Sequence, residues 1–195
     1  MNGTRSVTLS ALAGLAWSAS AQSATLYFSV DQTRIHDAAP TLLTWTVSIG
    51  FTGFGDPSAY VGGFAGEFFG IGIMTGAGAH EIVGISNLMN GQALSPFVDG
   101  ALVGDVNIFN AAVLGTAQAG NPLDIFEIRV MTAGIEPISF MGGGTVTIFP
   151  DDSILTPPVL FDDFEVISDR VIFPAPGAAG VLACGAVWTA RRRRS

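Results

Sequence analysis

The feature that most limits the fold of this chain is the alternation of large apolar and polar residues in short runs. From Leu43 to Ile49 every second residue is large and apolar, and the residues between them are threonine or serine. A period of two places alternate side chains on opposite faces of a β-strand, so Trp45 is expected to point into a core. The same argument predicts strands over residues 25–30, 41–49, 123–131, 145–149 and 164–173.

The predicted strands are separated by clusters of glycine, asparagine, aspartate and proline rather than by regular helices. This arrangement favours an all-β fold, and we expect a single antiparallel β-sandwich of the jelly-roll-like or immunoglobulin-like kind. Glycines within Ala59–Ile73 predict bulges or close packing of sheets. Gly142–Gly144 is expected to form a turn, and Pro157-Pro158 predicts a loop over residues 150–163. A short helix is one interpretation of Val106–Leu114.

The first 21 residues have the three parts of a secretory signal peptide. Arg5 supplies a positive charge, Val7–Trp17 is mostly apolar or small, and Ala19-Ser20-Ala21 is a small-x-small cleavage site. The mature protein is therefore predicted to begin at Gln22, after cleavage by signal peptidase. An N-terminal helix of the mature domain is the alternative interpretation.

The C-terminal segment combines a proline motif, an uncharged run and a cluster of arginines. Its motif is Pro174, Ala175, Pro176 and Gly177, and its basic end is Arg191, Arg192, Arg193 and Arg194. As a helix, the uncharged run from Gly177 to Ala190 would span about 21 Å. A stable membrane span needs about 20 residues, which as a helix is about 30 Å, so this run is short. Clustered arginines stay on the cytoplasmic side of a membrane. The segment is therefore predicted to insert only transiently, with the rest of the chain outside; a buried core helix is the alternative.

These C-terminal residues resemble the PEP-CTERM sorting signal of Gram-negative bacteria, in which a Pro-Glu-Pro-like motif precedes a short hydrophobic helix and terminal arginines. Ala175 stands here in place of the usual glutamate. The resemblance covers only about residues 173–195. It implies that an exosortase-like transpeptidase cleaves near the proline motif and transfers the protein to the cell surface or the exopolysaccharide matrix. The expected division of the chain is a signal peptide (1–21), an ectodomain (22–173) and a sorting signal (174–195).

The predicted ectodomain is strongly acidic. It contains all 16 acidic residues of the chain against Arg34, Arg129 and Arg170, which gives a formal charge of −13, and the chain has no lysine. A polyanion repels nucleic acid and anionic lipid, so nucleic acid is not expected as a partner. The single cysteine, Cys184, lies in the sorting signal, so the stability of the ectodomain must come from packing rather than from a disulfide.

Few of the residue patterns that carry catalysis occur in this sequence. The lack of lysine excludes P-loop and Schiff-base mechanisms, and there is no Gly-x-Ser-x-Gly elbow. His36 and His80 are the only histidines, and His80-Glu81 lacks the second histidine of a zinc-protease helix. Both histidines are expected to be exposed loop residues. The protein is therefore expected not to be an enzyme; a hydrolase that uses one histidine with a distant serine is the least favoured alternative.

Two pairs of aspartates are the candidate metal ligands. Asp151, Asp152, Asp162 and Asp163 flank the proline-rich segment. Calcium takes several carboxylate and carbonyl oxygens from flexible loops, so the two pairs could form one site. Ordinary solvated turns are the alternative, because no Asp-x-Asp-x-Asp-Gly calcium loop occurs. No other cofactor is predicted.

Two functions remain open for the ectodomain. The first is a structural protein of the cell surface or the extracellular matrix, without catalytic activity. The second is a small glycan-binding module displayed by the same sorting route. For that second function Tyr27 and Tyr60 are the candidate sugar platforms, because Trp45 is expected in the core. Exopolysaccharide is a candidate partner in both cases.

Overall fold

The computed structural model describes residues 21–30, 41–73, 80–89, 93–94, 96–110, 118–134, 136–153 and 155–173. These residues form eleven strands: β1 (Ser23–Val30), β2 (Thr41–Thr52), β3 (Tyr60–Ile71), β4 (Glu81–Asn87), β5 (Ala93–Leu94), β6 (Phe97–Asp99), β7 (Leu102–Phe109), β8 (Leu123–Thr132), β9 (Ser139–Phe149), β10 (Val159–Phe161) and β11 (Glu165–Ser168). Within those ranges, no helix is long and apolar enough to cross a membrane. The predicted signal peptide up to residue 20, His36 and the sorting signal from residue 174 lie outside the described residues.

The strands form two sheets that pack face to face. One sheet has the order β11-β1-β2-β8-β4, and the other has the order β10-β9-β3-β7-β5, with β6 also paired to β7. The described pairs are antiparallel except for β11, which runs parallel to β1 with Glu165 opposite Thr25. The prediction of an all-β sandwich is therefore confirmed, with one parallel pair at the edge of the five-stranded sheet.

The period of two in the sequence decides which side chains enter the core. In β2, Trp45, Val47 and Ile49 are completely buried, as the alternation predicts. In β1, Leu26 and Phe28 face the same core. Each buried aliphatic or aromatic side chain of this size contributes about 1.5–3 kcal/mol relative to an exposed one. Burial of these alternate residues therefore fixes which face of the five-stranded sheet is covered.

Aromatic side chains form the contact between the two sheets. Phe28 of β1 meets Phe68 of β3 edge to face at 5.4 Å and stacks on Phe140 of β9 at 5.7 Å, between ring centroids. Trp45 of β2 also meets Phe140, at 5.3 Å. Edge-to-face and offset-stacked pairs at these distances stabilise by about 0.5–1.5 kcal/mol each beyond their buried area. These rings therefore join β1 and β2 to β3 and β9 across the sandwich.

Four local predictions from the sequence need correction. Val106 belongs to strand β7 rather than to a helix, because Val103, Val106 and Ile108 are buried against the core. The segment 150–163 is not wholly a loop, since β10 pairs with β9. Gly142–Gly144 lies inside β9 instead of forming a turn. The last predicted strand is shorter than 164–173, because β11 ends at Ser168 and only Val171 bridges onward, to Ile138.

Replacement of Trp45 by alanine is expected to lower the free energy of unfolding by about 3–5 kcal/mol, because it removes a fully buried ring that packs on Phe140. Trp45→Phe should cost clearly less, because the buried indole Nε1 has no hydrogen-bond partner among the described residues. Urea denaturation of residues 22–173, followed by circular dichroism, measures both values. A cost below about 0.5 kcal/mol for Trp45→Ala would show that this ring is not part of the core.

Candidate functional site

A groove lies on the outer face of the six-stranded sheet, where β9, β3 and β7 run side by side. It has a volume of about 890 Å³ and is lined by Ala65, Gly66, Glu67, Asp105, Val106, Asn107, Gly143 and Gly144. The strand register brings these residues together: Gly66 lies opposite Gly144 on one side and opposite Val106 on the other. The groove is therefore a product of pairing between segments that are distant in sequence.

Glycine creates the open space of the groove. A side chain on Gly66 would collide with the carbonyl oxygen of Gly143, so the close approach of β3 and β9 requires glycine there. Gly144 has φ +144°, a conformation that side chains disfavour, and a Cβ on it would collide with the carbonyl oxygen of Ala65. Gly143 differs, because nothing lies within 4 Å of where its Cβ would be. The floor of the groove is thus bare backbone, with free space above Gly143.

The polar side chains of the groove are two carboxylates, Glu67 and Asp105, and the amide of Asn107. Glu67 and Asp105 are exposed, and among the eight lining residues none is basic. Asp105 has φ +52°, a left-handed conformation that aspartate tolerates better than most residues, at the irregularity in register between Gly66 and Phe68. The buried Oδ1 of Asn107 has no partner in the described part of the chain, a state that costs about 1–3 kcal/mol. The groove therefore presents negative charge and acceptors to a ligand.

Exposed apolar side chains flank the groove at both ends. Phe69 of β3 is 45% exposed and lies opposite Met141 of β9, which is 50% exposed. At the other end Phe109 of β7 is 52% exposed and lies opposite Gly63. From Gly63 to Phe69 the strand advances about 20 Å, at about 3.3 Å per residue. The outer face is therefore a polar centre between two apolar ends.

Tyr60, one of the two candidate sugar platforms, lies on the same sheet. Its ring stacks on Phe149 at 5.2 Å, with 15° between the ring planes. The pKa of Tyr60 is raised, first by partial burial and then by the negative charges of Asp152 and Asp151. Asp151 and Asp152 therefore act electrostatically on this aromatic stack. Tyr27 belongs to β1 of the opposite sheet, so the two tyrosines do not form one platform.

The candidate calcium ligands make local hydrogen bonds. Asp151 accepts from the backbone N–H of Ser153 at 2.8 Å and from the hydroxyl of Thr156 at 2.8 Å. Asp162 accepts from the hydroxyl of Thr145 at 2.6 Å. Asp152 and Asp163 are exposed. No group of three or more His, Cys, Asp or Glu side chains suited to a metal ion occurs among the described residues, so a calcium site at these four aspartates stays a prediction.

His80 is not the exposed loop residue that the sequence predicts. It is only 2% exposed and its ring stacks on Phe173 at 4.9 Å. Its Nε2–H donates to the carbonyl oxygen of Glu136 at 2.9 Å, and no described hydroxyl lies within hydrogen-bond distance of its buried Nδ1. His80 therefore packs the C-terminal end of the described fold and does not contact a serine. His36 lies outside the described residues.

Sequence reasoning missed most residues of the groove. Asp105 is visible only as one more acidic residue, and Glu67 and Asn107 carry no motif. The available signal is the pair of glycine-rich runs at 62–66 and 142–144. Both become informative only when the register pairs β3 with β9. Gly143 and Gly144, which the sequence predicts to lie in a turn, belong to β9 and form part of the floor of the groove.

Comparison with known proteins gives a likeness in structure but none in sequence family. No family model and no curated protein matches the chain. The seventh ScaB type I cohesin from Pseudobacteroides cellulosolvens is similar with a TM-score of 0.53 and 10% sequence identity; the match covers 78% of this chain and 93% of the cohesin chain. At this identity the likeness shows a shared fold. The chain is a cohesin-like β-sandwich in architecture, and its function must be argued from its own residues.

The two interpretations of the aspartate pairs predict different thermal shifts. Because Asp151 and Asp162 already accept hydrogen bonds within their own turns, we expect calcium and magnesium to raise the melting temperature of residues 22–173 equally, by screening the acidic domain. A calcium site of extracellular strength would instead add several degrees with millimolar calcium alone. Differential scanning fluorimetry with each ion decides between them. A calcium-specific increase that disappears in the Asp152→Asn, Asp162→Asn double variant would overturn our expectation.

Proposed function

We propose that this chain is an exported, C-terminally processed protein of the cell surface or extracellular matrix, and that its ectodomain is a binding module without catalytic activity. Signal peptidase removes residues 1–21, and an exosortase-like transpeptidase acts at the proline motif Pro174–Gly177 after transient membrane insertion of the C-terminal segment. The observation that carries the binding role is the outer face of the six-stranded sheet, with its groove and its exposed apolar ends.

That face has the properties of an interaction surface. Phe69, Phe109 and Met141 are each about half exposed, although large apolar side chains gain by burial. Apolar patches of this kind, bordered by polar residues, typically mark binding sites. In the centre, the shape of the groove is fixed by paired backbone rather than by a loop. The surface is therefore preformed, which lowers the entropic cost of binding.

The C-terminal end of the described fold supports direct attachment of the sorting signal. Asp169 accepts from the backbone N–H of Val30 at 3.0 Å, and Val171 is bridged to Ile138. Phe173 then stacks on the buried His80, and the proline motif begins at the next residue. Processing at Pro174–Gly177 would therefore leave the folded ectodomain intact, with almost no linker between it and its new attachment.

The environment of His80 supports a role without catalysis. A general base must lie within hydrogen-bond distance of the group from which it takes a proton. The buried Nδ1 of His80 has no hydrogen-bond partner among the described residues, and its Nε2 donates to the backbone carbonyl oxygen of Glu136. Neither nitrogen is therefore positioned to take a proton from a described hydroxyl group. The ring contributes to packing, against Phe173.

The sorting role is tested by the arginines of the tail. Replacement of Arg191, Arg192, Arg193 and Arg194 by glutamine should reduce C-terminal cleavage and surface display, because positive charge holds the end of the helix in the cytoplasm. Replacement of the same four residues by lysine keeps the charge and is the matched control, which should be processed normally. Immunoblots of membrane, surface and medium fractions from the native host measure both. Normal processing of the glutamine variant would contradict the sorting signal.

A further inference from the structure

The groove on the six-stranded sheet restricts the charge of its ligand. Glu67 and Asp105 contribute negative charge, the lining residues include no base, and the ectodomain has a formal charge of −13 from 16 acids and three arginines. Anionic polymers and lipid headgroups are repelled by such a field. The exposed carboxylates of Glu67 and Asp105 accept hydrogen bonds, so the ligand must supply donors. Hydroxyl groups supply such donors without a charge.

The position of the groove argues against an extended peptide. A peptide that adds to a sheet needs a free strand edge, where its main chain can form hydrogen bonds. β3 lies in the middle of the sheet and is paired on both sides, with β9 and with β7. The main-chain groups of Gly66, in the middle of the floor, are therefore already used in pairing with Gly144 and Val106. A ligand must be recognised through side chains and through the shape of the bare floor.

The distribution of apolar and polar groups matches a chain of sugar rings. A sugar ring has an apolar C–H face and donates hydrogen bonds from hydroxyls at its edge. Phe69 and Phe109 present exposed aromatic side chains at the two ends, and Glu67 and Asp105 present acceptors between them. The free space above Gly143 admits a ring against the backbone. The groove therefore offers apolar contacts for the sugar rings at its two ends and hydrogen-bond acceptors for the hydroxyls between them.

We propose that this groove binds an uncharged polysaccharide. The polymer lies over β9, β3 and β7, Glu67 and Asp105 accept hydrogen bonds from its hydroxyls, and Phe69 and Phe109 pack against its rings. The proposal rests on the proposed function, since surface display brings the groove to extracellular glycans. It also extends that function, because it names the class of ligand and the site.

The test is affinity electrophoresis of the full chain in a zwitterionic detergent without a sugar headgroup. The probes are four neutral polymers (dextran, laminarin, hydroxyethylcellulose and galactomannan), anionic alginate and cationic polylysine. We expect retardation by at least one neutral polymer and none by alginate. Gly143→Leu should weaken that retardation at least tenfold, because nothing lies within 4 Å of the new Cβ and the side chain would occupy the groove.

Matched controls separate loss of the site from loss of the fold. Gly55→Leu also adds a side chain where nothing lies within 4 Å, but it lies outside the groove and should bind as the unmodified chain does. Glu67→Ala should weaken binding, whereas removal of the exposed carboxylate of Glu81 on β4, by Glu81→Ala, should not. Thermal unfolding of each variant verifies that it is folded.

Several results would overturn the proposal. These are the absence of retardation by every neutral polymer, retardation by polylysine alone, and retardation that Gly143→Leu and Glu67→Ala leave unchanged. Retardation by polylysine alone that Gly143→Leu and Glu67→Ala weaken would indicate a basic partner at the groove, whereas retardation that neither variant changes is the non-specific attraction of a polycation for an acidic domain. The binding test uses purified protein, whereas the sorting test on the arginines uses the native host. A failure to bind any polymer therefore does not affect the result of the sorting test. A processed, surface-displayed protein that binds no neutral polymer would retain the proposed function and lose only this ligand.

Discussion

The contact of Phe28 and Trp45 with Phe140 and Phe68 is the interaction on which the rest of the structure depends. These four rings are almost completely buried and come from four strands, two in each sheet. A sheet can exclude water from one face only by packing it against another layer. Cys184, the only cysteine of the chain, lies beyond residue 173, so no disulfide assists this packing within residues 22–173. The aromatic contact therefore fixes the position of one sheet against the other.

The same contact leaves the outer face of the six-stranded sheet free for function. Core packing requires large side chains on the inner face of β3 and β9, but it places no such demand on the outer face. There Gly143 leaves free space, and Gly66 and Gly144 let the backbones of β3 and β9 approach closely, so the floor of the groove is bare backbone. Rigid pairing of β9, β3 and β7 then supports exposed residues such as Glu67 and Phe69. The core and the proposed binding surface thus occupy opposite faces of one sheet.

The sequence predicts the core better than it predicts the site. Burial of Trp45 follows from a period of two, which is a local property, and the structure confirms it. The groove depends on Gly66 pairing with Gly144, a contact between distant segments that no local pattern specifies. The wrong predictions also concern contacts between distant segments: β7 pairs with β3 in an irregular register, and the buried His80 stacks on Phe173. Local sequence patterns predict the strands and their buried faces, whereas the site can be located only from the register in which the strands pair.

Hydroxyl-radical footprinting of the full chain, with and without the neutral polysaccharide that it binds most tightly, tests the proposed binding face most directly. We expect protection of Phe69, Phe109 and Met141, which are exposed around the groove in the free protein. Leu42 and Ile167 are exposed on the opposite sheet and should react equally in both states. Protection of those two residues, or unchanged reactivity of the three around the groove, would contradict the assignment of the binding face.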